Sequence, residues 1–136
     1  MKPLQSYADH RMLTGQTVLI VETEFLIALD IQRVLEVLGA GQTMFARNTI
    51  EALDAAARWP GFGLALVEIH HERDDDLALL QGLKEAGVAL VLLTADIALR
   101  RGSASLPGAP VVMKPFLEED LVSAIEQALT HESQKE

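Results

Sequence analysis

Five short strand-like runs, each followed by a stretch with helical spacing, constrain this chain more than any other feature. The runs are Thr17–Val21, Thr43–Arg47, Leu64–Ile69, Ala89–Thr94 and Val111–Lys114. Most are continuously apolar rather than alternating. A strand of that kind is covered on both faces, as in a parallel sheet flanked by helices. Strand and helix in strict alternation imply right-handed crossovers and an α/β architecture. The expected fold is therefore a five-stranded parallel sheet with helices on both faces. For a chain of 136 residues the natural strand order is 2-1-3-4-5.

The punctuation between the runs supports this reading. A helix over Phe25–Leu38 stops at Gly39-Ala40-Gly41, because glycine tolerates the left-handed cap. Asn48 and Glu51 form a capping-box pattern that opens a helix through Trp59, and Pro60-Gly61 closes it. Asp74, Asp75 and Asp76 precede a helix over Leu77–Ala86, where acids favour the amino terminus. Between Ala95 and Pro110 the glycines, serines and prolines leave room only for a short helix near Ile97–Ala104. A closing helix spans Leu117–Thr130. Residues 1–15 lack periodicity and read as a flexible leader, 16–131 as one domain, and 132–136 as a frayed end.

Composition excludes several classes. The net charge of -9 disfavours a nucleic-acid surface, and Arg100-Arg101 is too small a basic patch to reverse that. Without cysteine there is no disulfide, thiolate metal site or cysteine nucleophile. No run approaches the length of a membrane span, and no apolar signal-peptide core precedes the domain. These features point to the cytoplasm. There is no glycine-rich phosphate loop. His70-His71 lack a third ligand and read as a solvated loop, while Trp59 and Phe62 read as packing residues.

Polar residues close the runs. Glu22, Thr23 and Glu24 follow the first, Glu68 ends the third, Thr94 ends the fourth, and Lys114-Pro115 end the fifth. At the carboxyl ends of parallel strands such residues converge on one crevice, where ligands bind in open α/β sheets.

In this order the motifs resemble bacterial response regulator receiver domains. Val18 to Ala28 is similar to their opening strand, acidic loop and first helix. Leu64–Ile69 is similar to the strand that ends in the phosphoacceptor aspartate, Leu92–Ala95 to the strand that ends in the switch hydroxyl, and Val112–Phe116 to their Lys-Pro signature. The resemblance covers about 17–129. It implies a phosphoryl-transfer pocket in a two-component or phosphorelay system. Glu22 would be an outer acid, Thr94 the switch hydroxyl, Lys114 the phosphate-pairing lysine and Lys114-Pro115 a cis peptide. The implied partner is a sensor histidine kinase or another signalling protein, and a homodimer is compatible with the family.

Two positions depart from the pattern. Thr23 stands where an acid contacts magnesium, so only Glu22 and Glu68 remain as weak ligands, with Glu24 nearby as a substitute. Glu68 replaces the aspartate and sets its carboxylate about 1.5 Å further out. A misplacement near that size costs about a hundredfold in rate. No cofactor and no enzymatic turnover are expected. Three readings of Glu68 stand open: a built-in mimic of the phosphorylated state, an inert scaffold that neutralises Lys114, or a retained phosphoacceptor. A flavodoxin-like module that holds a small ligand is the rival class. Val111 falls where receivers often carry a switching aromatic, which points to a divergent output face.

Overall fold

A computed structural model describes residues 11–70, 74–103 and 106–134. Five parallel strands form one sheet in the order 2-1-3-4-5. They are β1 (Thr17–Val21), β2 (Gln42–Ala46), β3 (Phe62–Glu68), β4 (Ala89–Thr94) and β5 (Val111–Met113). The α-helices are α1 (Phe25–Val37), α2 (Thr49–Asp54), α3 (Asp74–Glu85) and α4 (Glu118–Gln134). Strand order and the placement of helices on both faces match the sequence expectation.

Alternate strand residues feed two cores. Val18, Ile20, Leu64, Leu66, Val91 and Leu93 pack under α1 and α4. Leu19, Val21, Ala65, Val67, Leu90 and Leu92 pack under α2 and α3. Every residue of β4 is buried, as the continuous apolar run requires. Arg33 of α1 pairs with Glu118 of α4 at the rim of the first layer. Gly39 (φ 94°) and Gly87 (φ 84°) end α1 and α3 in the left-handed conformation. At both ends the two following amides bond back to the last turn: Gly39 to Glu36 and Ala40 to Leu35, then Gly87 to Lys84 and Val88 to Leu83.

Several boundaries differ from expectation, each for a local reason. Residues 11–15 are built into the domain rather than a leader. Leu13 is fully buried beneath α1, its amide bonds Leu38, and Thr14 bridges Ala40. A single leucine in a polar stretch has no period to betray it. The helix opened by Asn48 ends at Asp54, and a 3-10 helix over Ala56–Gly61 carries Trp59 and Pro60. Asn48 Oδ1 accepts from the Glu51 amide as expected, yet Glu51 reaches back to the Arg47 amide. The acidic run opens α3 from within, since that helix starts at Asp74. Among the described residues the fourth crossover holds one 3-10 turn, Ile97–Leu99, and no helix runs on to 103; Ala104, the expected end, lies outside the described residues. α4 continues to Gln134, past the expected end at Thr130. His71 lies outside the described residues.

Candidate functional site

The site forms where β1, β3, β4 and β5 end, and the parallel register sets its width. Val21 lies beside Val67, Glu68 beside Leu93, and Thr94 beside Met113. Glu22, Glu68, Thr94 and Lys114 therefore leave their strands at the same edge of the sheet. The Lys114 amide bonds Thr94 O at 2.8 Å, which fixes the loop after β5 against β4. The Lys114-Pro115 peptide is cis.

Lys114 is the centre of the arrangement. Its Nζ lies 2.6 Å from Glu68 Oε2 and 2.9 Å from Glu22 Oε2. The Lys114 side chain is 8% exposed, Glu22 is fully buried and Glu68 is 9% exposed. Glu24 Oε2 is a looser neighbour at 3.7 Å on a side chain that is 63% exposed. Thr23 holds the other oxygen of Glu68: its amide donates to Oε1 at 3.0 Å and its hydroxyl at 2.7 Å. His70 Nε2 adds a contact to Glu68 Oε2 at 3.5 Å.

Burial pushes the Glu68 carboxyl up, but hydrogen bonds from Lys114 and Thr23 and the lysine charge outweigh it, so its pKa is lowered. Burial alone lowers Lys114. The bonds to Glu68 and Glu22 reverse that and raise it. Burial raises Glu22 beyond what the Glu24 amide and Lys114 offset, and the charge on Glu68 adds to the rise. Glu22 Oε1 is buried without a hydrogen-bond partner. Glu68 and Lys114 thus form the charged pair, and Glu22 is the acid that takes up a proton first.

The expected residues Glu22, Thr23, Glu24, Glu68, Lys114 and Pro115 all meet here. Thr94 is also present and fully buried, but its hydroxyl accepts from the Asp96 amide at 3.0 Å and makes no bond to Glu68. A cavity of about 600 Å³ opens above, walled by Ile27, Ala95, Asp96 and Pro115 as well as by the charged groups. Reading the sequence missed two features. Asp76 is not a surface cap but is 2% exposed, and its Oδ1 accepts from Thr49 Oγ1 at 2.6 Å. Both line a small cavity of about 50 Å³ that also touches Thr23, Glu68 and His70. Within a run of three aspartates nothing marks the third as inward-facing.

The donor set does not fit magnesium. That ion demands several oxygens in near-octahedral array. Here the Lys114 ammonium lies between Glu22 Oε2 and Glu68 Oε2, and Thr23 occupies Glu68 Oε1. Among the described residues no group of three or more His, Asp or Glu is disposed to hold a metal.

Among the solved structures this chain resembles are response regulator receiver domains. The signal receiver domain of an HD domain-containing protein from Pseudomonas fluorescens is 25% identical, with 88% of this chain and 98% of that chain covered and a TM-score of 0.68. PhyR from Brucella abortus is 25% identical, with 96% and 54% covered and a TM-score of 0.74. The anti-anti-sigma factor PhyR from Bartonella quintana is 27% identical, with 96% and 55% covered and a TM-score of 0.71. This chain spans about half the length of those PhyR chains. No family model and no curated protein matches the sequence. The chain has the receiver fold, and its neighbours support a response-regulator-like signalling role. No helix among the described residues is long and apolar enough to cross a membrane.

Proposed function

We propose that this receiver-fold chain signals by binding other proteins, without ordinary aspartyl phosphorylation, in a two-component or phosphorelay pathway. One observation carries the reading: Lys114 Nζ sits 2.6 Å from Glu68 Oε2 and 2.9 Å from Glu22 Oε2. The ammonium holds the oxygens that a divalent cation needs. The lysine that would neutralise an incoming phosphoryl group is itself neutralised. Glu68 accepts from both Thr23 and Lys114, so its lone pairs are engaged and its carboxylate is a poor nucleophile. Magnesium therefore binds weakly.

Of the open readings of Glu68, the fixed scaffold has the better support. A phosphoryl mimic would draw the switch hydroxyl toward it, whereas the Thr94 hydroxyl bonds its own loop at the Asp96 amide. The partner is a sensor histidine kinase or another signalling protein. PhyR, an anti-anti-sigma factor, is one receiver-containing neighbour. Incubation with acetyl phosphate and magnesium, followed by intact-mass measurement, tests the reading. The expected result is no phosphoryl adduct. An acid-stable, base-labile adduct on Glu68 would overturn it.

A further inference from the structure

β2 is the open edge of the sheet. It pairs with β1 on one side, and among the described residues no strand pairs with its other side. The opposite edge, β5, is three residues long and offers little to pair with. β2 has five residues, Gln42-Thr43-Met44-Phe45-Ala46, with no charge and no proline, in unbroken register with β1. Natural edge strands are usually blunted by shortness, charge, proline or a bulge. The Gln42 amide bonds Gln16 O, and Ala46 O accepts from the Glu22 amide. Backbone groups of alternate residues face opposite sides of a strand. Those of Thr43 and Phe45 therefore point away from β1, toward the open edge.

α1 flanks this edge on one face. Gln32 Nε2 donates to Thr43 Oγ1 at 2.8 Å, which places residue 32 above residue 43. Met44 and Ala46 pack into the other core, so Phe45 lies on the α1 face with Thr43. α1 connects two parallel strands and runs opposite to both. Leu29 and Glu36 stand one turn either side of Gln32, Leu29 toward the Phe45 end and Glu36 toward the Gln42 end. Leu29 and Phe45 are each 38% exposed, and Glu36 is exposed as well. Just past the Phe45 end comes Arg47, 83% exposed with its guanidinium on Glu51. The edge thus carries an acid at one end, a cation at the other and apolar side chains between them.

We infer that β2 joins two copies of this chain edge to edge, antiparallel about a two-fold axis at Met44. Thr43 of each copy exchanges both backbone hydrogen bonds with Phe45 of the other, the hydrogen-bonded pair of an antiparallel ladder. Leu29 and Phe45 of both copies meet on one face. Arg47 of each copy comes to the Glu36 end of the other. Charge decides the direction: a parallel pair would set Arg47 beside Arg47 and Glu36 beside Glu36. A foreign strand would gain the same backbone bonds but has no reason to match both charged ends. The contact is isologous and uses each copy's open edge, so it closes at a dimer. The net charge of -9 opposes association at long range, but screening over about 8 Å at physiological salt leaves the local contacts to decide. Glu68, Thr94 and Lys114 follow β3, β4 and β5, away from this edge, so the dimer leaves both crevices open.

The test is analytical ultracentrifugation of the full chain up to about millimolar concentration in about 150 mM salt, with nitrogen-15 amide spectra over the same series. A monomer–dimer equilibrium is expected. The signals of Leu29, Glu36, Thr43 and Phe45 should move on dilution, while those of Glu68 and Lys114 stay in place. Phe45→Lys should abolish the dimer, although it makes the chain less negative and so less self-repelling. Glu36→Arg and Arg47→Glu should each weaken the dimer by about fivefold, the scale of two symmetry-related exposed ion pairs. The two exchanges together should restore it. Unchanged signals elsewhere report that each variant is folded. A monomer throughout the series would overturn the inference, and slow exchange of the Thr43 and Phe45 amides in that monomer would place another segment of the chain on the edge. A threonine–valine repeat peptide that moved the same signals of a monomeric chain would assign the edge to a foreign strand instead. A dimer whose shifts fall elsewhere, or a charge exchange that fails to restore pairing, would overturn it too. None of these outcomes depends on the acetyl phosphate result, so the two readings fail separately.

Discussion

Replacing Lys114 with methionine should destabilise the domain in a pH-dependent way. The substitution keeps the stem and removes the ammonium that lies within 3 Å of half-buried Glu68 and buried Glu22, at 2.6 and 2.9 Å. Removing one partner of a buried ion pair costs about 3–5 kcal/mol, because the other charge is left uncompensated. At pH 7.5 the loss should fall in that range. In the parent, Glu68 has its pKa lowered, so its stabilising contribution is present above the unfolded value and is lost only as pH falls through the folded value. At pH 5 the parent pair is therefore still charged. In the variant, Glu22 and Glu68 face each other without a cation, and one of them titrates upward. Protonation then relieves the repulsion, and the loss at pH 5 should shrink to about 1–2 kcal/mol, that of the missing hydrogen bonds. Urea unfolding of parent and variant at both pH values measures this. Equal losses, or a loss below about 1 kcal/mol at pH 7.5, would refute the buried cluster and place Lys114 in solvent.

Thr23→Asp combined with Glu68→Asp should restore phosphate uptake from acetyl phosphate with magnesium, while either change alone should not, because transfer needs both metal and geometry. Acid-stable, base-labile labelling of the double variant but not of the parent is the expected result. Gly82→Ala should cost about 1–3 kcal/mol in thermal or urea unfolding, because an added Cβ would stand 2.4 Å from a ring carbon of Trp59, whose indole donates to Ala52 O. Amide exchange should be faster over 97–103 than over 118–130, since one 3-10 turn replaces a helix there; comparable protection would mean that packing of Leu99 and Leu106 holds the segment.

The sheet and most of the site were legible because one physical signal served both. A continuous apolar run marks a strand buried on two faces, and the first polar residue after it marks the strand's exit. Glu22, Glu68, Thr94 and Lys114 were found that way. What Lys114 does was only half legible: its pairing with Glu68 follows from length, but its simultaneous bond to Glu22 depends on burial that no pattern records. Leu13 was invisible for a related reason, as its partner Leu38 lies far along the chain at the C-cap of α1. Pro60 was read as a terminator, yet a 3-10 helix accommodates it and turns Trp59 inward against α3. In the fourth crossover, local propensity was right to doubt a helix and wrong only in allowing one past Leu99. Asp76 is the clearest miss, because an aspartate beside two others reads as solvent-facing until Thr49 is seen to bond it.

The occupied pocket is tested most directly by amide NMR on adding magnesium with beryllofluoride, a phosphoryl analogue. If Lys114 and Thr23 already hold both oxygens of Glu68, the signals of Thr23, Glu68, Thr94 and Lys114 should not move. Saturable shifts of those four, spreading to Asp96 and Ile97, would show a working phosphoacceptor site and contradict the account.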